Sequence, residues 1–293
     1  MQTNYDCIIV GGGPAGVSAA LYTLRAGLST LIVRGGAGAL EKAERVENYY
    51  GFPGGVSGAQ LLQNGLEQAS ALGAELLETE VLKLMYGAER EVHTTAGLFT
   101  AKAVLLATGT GRKKPTGLPV EEFEGRGVSY CAICDGFFHR GKPVAVLGGG
   151  EYARSEANEL LPFAGSVTVL TNGAPPEVEM GGLTVRTEPV KALIEAAPGG
   201  LLQAVEFADG SRLELSGLFV AIGTASAGDL ARAAGIILSG NSIAVDGDGK
   251  TNLPGFFAAG DCVGGLLQVS KAVSDGAHAG LAMTAFARES IPG

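Results

Sequence analysis

The sequence predicts an α/β chain of two like domains, the central one inserted into the other. Three observations carry that prediction. An apolar run, a glycine turn and a helical pattern follow one another near the N-terminus, and the same succession returns after residue 143. Two polar connectors rich in turn residues, roughly 111–119 and 240–253, separate the segments. Beyond the second connector an apolar strand and a helical pattern complete the first domain. The domains are therefore expected at 1–112 with 246–293, around a central domain at 113–245. A chain of 293 residues is long for one domain and comfortable for two.

Residues 5–10, Tyr-Asp-Cys-Ile-Ile-Val, have the length and character of a buried strand. Gly11-Gly12-Gly13-Pro14-Ala15-Gly16 follows, and then Val17, Ala19, Ala20, Leu21 and Leu24 at helical spacing. A strand, Gly-x-Gly-x-x-Gly and a helix in that order make a credible dinucleotide-binding turn. Gly11 allows the tight turn, Gly13 lets a pyrophosphate approach the backbone, and Gly16 lets helix and strand pack closely. The helix entered through Pro14 and Ala15 turns its free N–H groups toward the phosphates. The second strand, Thr30 to Val33, lacks a terminal acid for an adenosine ribose. It ends in Arg34-Gly35-Gly36, with Arg34 read as solvated or phosphate-facing. The loop Val46-Glu47-Asn48-Tyr49-Tyr50-Gly51-Phe52-Pro53-Gly54 is either a packed surface segment or the cover of a bound ring system. Residues 59–72 carry an apolar stripe at helical period, and 74–107 alternates as strands do.

Next comes Cys131-Ala132-Ile133-Cys134-Asp135-Gly136-Phe137-Phe138. Two thiols at i and i+3 can close a small disulfide ring or open to a dithiol, and the neighbouring acid can move the proton that such exchange requires. Two ordinary cysteines or half a zinc site are the other readings. A structural zinc site needs four ligands, and no second Cys/His pair follows at ligand spacing.

The second strand–turn–helix succession runs from Val144–Leu147 through Gly148-Gly149-Gly150-Glu151-Tyr152-Ala153 to Leu161. Gly148, Gly150 and Ala153 hold the positions of the three fingerprint glycines and mark a possible second nucleotide site. Its second strand, Val167–Leu170, leads into Thr171-Asn172-Gly173-Ala174-Pro175-Pro176, which offers neither arginines for NADP nor an acid for NAD. Residues 183–222 are strand-rich. An apolar run from Pro254 then ends in Gly260-Asp261-Cys262, an acid suited to a polyol or ribose hydroxyl, and Gln268 to Phe286 is helical in period. The fold class that results is α/β, with two Rossmann-like dinucleotide-binding domains of three-layer ββα type.

Composition narrows the function. The net charge of −9 and the lack of a basic stripe exclude a nucleic-acid partner. No signal-peptide pattern and no bilayer-length apolar run is present, so no membrane association is expected. Four cysteines in this length are no disulfide scaffold, which points to the cytoplasm. Cys7 reads as a small buried hydrophobe, and Cys262 as packing in preference to a place beside a cofactor. His93, His139 and His278 are scattered, so no metal is expected, and no Gly-x-Ser-x-Gly elbow is present.

The segments GGGPAG at 11–16, VENYYGFPG at 46–54, LLATGT at 105–110, CAICDGFF at 131–138, GGGEYA at 148–153 and AAGDC at 258–262 resemble the low-molecular-weight bacterial thioredoxin reductases. That resemblance implies FAD held by the terminal segments, at Gly11, Gly13, Pro14, Ala15, Gly16, Arg34, Asn48, Thr108 and Gly109. Asp261 would grip the ribityl chain and Gln268 would lie near the flavin. It also implies a homodimer, and a swivel of the inserted domain that offers the Cys pair first to flavin and then to a thioredoxin or glutaredoxin-like partner. Cys134 would face the flavin, Cys131 would attack the partner, and Asp135 would be the acid/base. Two departures stand out. The arginine-rich motif that clamps the 2′-phosphate in the NADPH-using enzymes is replaced by Leu170-Thr171-Asn172-Gly173, and the usual Gly-Gly-Gln run is absent. Losing such charge-assisted contacts should cost about a few kcal/mol of cofactor binding. The chain is thus similar to the atypical branch that draws electrons from ferredoxin or another flavoprotein, and NADPH is not the expected donor. Weak NAD(P)H-dependent reduction, a dithiol oxidase delivering electrons to oxygen, and a non-catalytic flavin redox sensor are the alternatives.

Overall fold

The computed structural model describes residues 2–36, 38–110 and 115–289. The chain divides into two compact units, Met1–Gly111 with Ser226–Gly293, and Arg112–Ala225. The connector expected at 111–119 falls partly on 111–114, outside the described residues.

The first unit begins with β1 (Asn4–Val10), α1 (Pro14–Arg25) and β2 (Thr30–Arg34). Cys7 to Val10 and Leu31 to Val33 are buried on both faces, as continuous apolar runs must be at the centre of a parallel sheet. Then come α2 (Gly58–Ala71), β3 (Glu75–Glu78), β4 (Val81–Tyr86), β5 (Arg90–Thr94) and β6 (Gly97–Leu106). Ser57 caps α2, its hydroxyl accepting the Gln60 N–H at 3.1 Å. The sheet order is β3-β2-β1-β6-β5-β4. The long strand β6 serves two layers: from Thr100 to Leu106 it pairs in parallel with β1, while its first half, Gly97 to Ala101, pairs antiparallel with β5.

The second unit repeats the plan. It contains β7 (Val128–Ser129), α3 (Ala132–Asp135), β8 (Pro143–Leu147), α4 (Glu151–Leu160), β9 (Ser166–Leu170), β10 (Thr184–Arg186), β11 (Val190–Glu195), β12 (Leu202–Phe207), β13 (Arg212–Glu214) and β14 (Gly217–Val220). A parallel sheet in the order β10-β9-β8-β14-β7 carries α4, and β11-β12-β13 form a separate antiparallel sheet. Val205, Phe207 and Leu202 of that sheet join Leu147, Leu170 and Leu218 of the parallel one in a single core.

The chain then returns to the first unit with α5 (Ala227–Ala234), β15 (Leu238–Ser239), β16 (Ser242–Ile243), β17 (Phe256–Ala258) and α6 (Val269–Glu289). Here the expected boundary near 245 needs correction, because residues 226–245 belong to the first unit. Helix α5 opens on a capping box between Ser226 and Asp229 and packs against β4. The polar, turn-rich stretch near 240 is the hairpin between β15 and β16, with Asn252 bonded to Ile237 and Gly235. Turn composition marks hairpins as readily as linkers. Strand β17 pairs with the end of β6, and α6 packs on α1. There Gly276 and Gly280 allow close approach: a Cβ would come within 2.1 Å of Ala15 O and 2.7 Å of Ala19 O.

Candidate active site

Cys131 and Cys134 form a disulfide with Cα atoms 5.3 Å apart, within the usual span for the bond. Cys131 is the N-cap of α3, in extended conformation, and its sulfur accepts the Cys134 N–H at 3.2 Å. The i, i+3 spacing closes the ring because one helical turn begins between the two residues. Ser129, at the end of β7, organises the approach: its hydroxyl accepts the Cys131 N–H at 3.1 Å and donates to Asp135 Oδ2 at 2.6 Å. Asp135 is thereby held at the end of the same turn as the sulfurs. Cys131 is 3% exposed, while Cys134 is half-buried. A second carboxylate, unforeseen from the sequence, completes the surroundings. Glu156 of α4, 9% exposed, accepts the Ala132 N–H at 2.7 Å. The only sequence signal for Glu156 was an acid on an otherwise buried helix face. Ile133, Phe137 and Phe138 stand exposed around the pair.

The other predicted residues gather in the first unit, where the carboxyl ends of β1, β6 and β17 lie together: Ala107 N donates to Val10 O, and Ala259 N to Leu106 O. In open α/β sheets this is where nucleotides bind. The three glycines differ in what surrounds them. A Cβ on Gly11, at φ +119°, would meet Ala107 O at 2.3 Å, and one on Gly16 would meet Gly11 O at 1.9 Å. A Cβ on Gly13 would meet nothing within 4 Å, so the backbone there is open to a phosphate. Pro14 and Ala15 start α1 with no side chain capping its free N–H groups and no acid in its first turn. This open, uncapped turn fits the pyrophosphate of FAD.

Arg34 stacks its stem against the Gly12 position and gives its guanidinium to Glu41 Oε1 at 2.8 Å. Asn48 Nδ2 donates to Gln268 Oε1 at 2.8 Å, joining two residues that the resemblance named separately. In the aromatic loop, Tyr49 stacks with Phe52, while Tyr50 is 97% exposed. Thr108 and Gly109 follow the end of β6, with Gly109 at φ +73°. Asp261 lies in a tight helical turn, Gly260–Val263. That turn is pinned by residues sequence reasoning passed over. Lys271 Nζ donates to Gly260 O at 3.0 Å and pairs with Asp275 at 2.8 Å, and Asp275 accepts the Gly260 N–H at 3.1 Å. The signal available was the Lys–Asp pair at i, i+4 on α6.

In the second unit, Gly148 (φ +154°) is as tight as Gly11: a Cβ there would meet Ala221 O at 2.0 Å and Ala153 Cβ at 3.0 Å. The Gly150 position is not open. A Cβ there would stand 3.1 Å from the Glu177 carboxylate.

The remaining candidates are structural. Cys7 is fully buried in β1, and burial pushes its thiol up to about 12. Cys262, also buried, bonds Leu106 O and Ala259 O through sulfur and is likewise pushed up to about 12 by burial. His139 packs edge-on against Phe219 with Ser216 at 3.0 Å, and His93 pairs with Glu91 at 2.8 Å. Among the described residues no three His, Cys, Asp or Glu side chains gather as metal ligands would, and no helix is long and apolar enough to cross a membrane.

Residues 5–276 match the family model of pyridine nucleotide-disulphide oxidoreductases. The chain is 36% identical to a thioredoxin reductase of Aquifex aeolicus (strain VF5), over 96% of this chain and 93% of that protein. The crystal structure of the atypical thioredoxin reductase of Desulfovibrio vulgaris Hildenborough is similar with a TM-score of 0.90 at 38% identity, covering 98% of this chain and 99% of that one. A ferredoxin-flavin thioredoxin reductase from Clostridium acetobutylicum is similar with a TM-score of 0.70 at 28% identity, covering 96% and 97%. With its closed cysteine pair, its open glycine turn and these likenesses, the chain belongs to the thioredoxin reductase family of flavin-dependent disulfide oxidoreductases.

Proposed function

We propose that this chain carries electrons from FAD through Cys131 and Cys134 to the disulfide of a small redox protein of thioredoxin or glutaredoxin type. The donor in this reading is ferredoxin or another flavoprotein in place of NADPH. The observation that carries the reading is the closed disulfide at the start of α3 with Asp135 fastened beside it. Gly11, Gly13, Pro14, Ala15 and Gly16 would hold the FAD pyrophosphate, with Asp261 on the ribityl chain and Arg34, Asn48, Thr108, Gly109 and Gln268 around the rest. When bound, FAD supplies the electron pair that opens the disulfide.

The protein's own groups manage the remainder. Opening the disulfide takes two electrons and two protons and leaves thiols on Cys131 and Cys134. Asp135, held by Ser129, is the group placed to pass a proton at the Cys134 end of the turn. The Cys131 thiolate then attacks one sulfur of the partner's disulfide, forming a mixed disulfide and releasing one partner thiolate. Cys134 attacks the Cys131 sulfur, releasing the second partner thiolate and closing the original bond. Since Cys131 is buried when oxidised, attack requires it to be uncovered. The swivel implied by the family would do so. The name of the Clostridium relative supports ferredoxin as donor, and the missing arginine cluster after β9 argues against NADPH. A cytoplasmic homodimer is the assembly this reading expects. Anaerobic titration of the flavin absorbance with NADPH, NADH and reduced ferredoxin in turn tests it. Bleaching by reduced ferredoxin alone is expected, and full bleaching by stoichiometric NADPH would contradict the donor assignment.

A further inference from the structure

We infer that the second unit's glycine turn is closed by the chain itself, with the Glu177 carboxylate and the strap behind it standing where a nucleotide's pyrophosphate would have to lie. This deepens the donor assignment above and rests on it. Pyrophosphate binding at such a turn needs bare backbone at the second fingerprint glycine. That condition holds at Gly13, which has no neighbour within 4 Å of its Cβ position, and fails at Gly150, whose position is 3.1 Å from Glu177 Oε2.

The obstruction is not only a side chain. Glu177 N donates to Gly149 O at 2.8 Å, and Pro176 Cα and Glu177 N lie 3.8 and 3.7 Å from a Cβ placed on Gly149. The backbone of the strap is therefore in van der Waals contact with the turn. The strap is anchored at its root. Asn172, with φ +53°, accepts the Val190 N–H on its side chain at 2.8 Å, and Gly173 N donates to Thr187 O at 2.8 Å. Thr171 donates its hydroxyl to Ala174 O, and Pro175-Pro176 restrict φ on the way to Glu177.

Charge acts in the same direction. Glu177 puts a negative group at the start of α4, where an incoming phosphate would otherwise meet favourable N–H groups. Glu151, in the first turn of that helix, is paired with Arg154 at 2.6 Å and adds no net charge, so the repulsion rests on Glu177. Because Glu177 is exposed, its side chain can swing aside, but the backbone bond to Gly149 O holds the strap in place. Removing the carboxylate should therefore open the turn only in part.

The probe is NAD+, which carries the pyrophosphate, needs no 2′-phosphate clamp and donates no electrons. Calorimetric titration of NAD+ into the FAD-loaded full-length protein compares wild type with Glu177→Gly and Glu177→Gln, each checked for an unchanged melting temperature. Wild type should reach half-saturation only at about millimolar NAD+ or above. Glu177→Gly should bind about tenfold more tightly than wild type, and Glu177→Gln about threefold, since it removes charge and keeps volume. Micromolar saturation of wild type would overturn the inference. So would two folded variants that bind no better than wild type, and this second result would leave the donor assignment standing. That assignment falls separately, if NADPH bleaches the wild-type flavin.

Discussion

The two glycine turns of this molecule share a signature and differ in what lies over them. In both, the first glycine is so tight against a neighbouring strand that any side chain would strike a carbonyl, at 2.3 Å for Gly11 and 2.0 Å for Gly148. The turn itself is thus preserved in both units. The next glycine of the fingerprint separates them: Gly13 faces open space, and Gly150 faces Glu177. A glycine pattern fixes the path of the backbone. Access to that backbone is decided by the segment that follows the next strand, which after β9 turns back over the glycines.

The substitutions that test this contrast are ordered by expected effect. Cys131→Ser or Cys134→Ser should lower partner-disulfide reduction by at least about a thousandfold, since each thiol is required in the exchange. Flavin content should stay intact, because both residues lie in the second unit. A disulfide-reduction assay with the flavin-to-protein absorbance ratio reads both. Gly16→Val would force a side chain to within 1.9 Å of Gly11 O and toward Ile9. It should destabilise the first unit by about 3 kcal/mol or more and strip its flavin, as thermal unfolding would report.

Gly13→Ala sharpens the contrast, because it fills open space. Stability of the flavin-free protein should change by less than about 0.5 kcal/mol, while flavin affinity falls about tenfold. Gly150→Ala should leave flavin affinity untouched. Equal flavin loss from both variants would break the comparison. Ser129→Ala removes the hydrogen bonds to Asp135 and Cys131 and should cost about 1–2 kcal/mol of stability. A several-fold slower exchange should accompany it in stopped-flow measurements.

The smallest effect concerns pH. Burial, with Lys142 nearby, holds the His139 imidazole below its ordinary value of 6.5. The unfolded chain therefore binds this proton first as pH falls. The contribution of His139 to stability is present above about pH 6.5 and is lost as pH drops through the depressed folded value. Denaturant midpoints of wild type and His139→Asn should accordingly converge on acidification below pH 6.5.

Local chemistry made β1, α1 and the cysteine pair legible in the sequence: a two-sided buried strand is a continuous apolar run, and a disulfide turn needs only i, i+3 spacing. Asn48 and Gln268 were singled out one by one through resemblance. Their hydrogen bond, across 220 residues, was not, because it depends on how α6 returns to the first unit. Glu156 and Glu177 were missed for the same reason. An acid on a helix or in a loop carries no mark of the backbone N–H or glycine it will meet. The boundary near 245 misled for another reason, since the turn residues before β17 build a hairpin inside the unit.

Electron counting by anaerobic dithionite titration of the flavin absorbance tests the central claim, transfer from FAD to Cys131–Cys134. Wild type should take up one electron pair per chain more than the Cys131→Ser/Cys134→Ser double variant. Identical uptake by the two proteins would contradict the account.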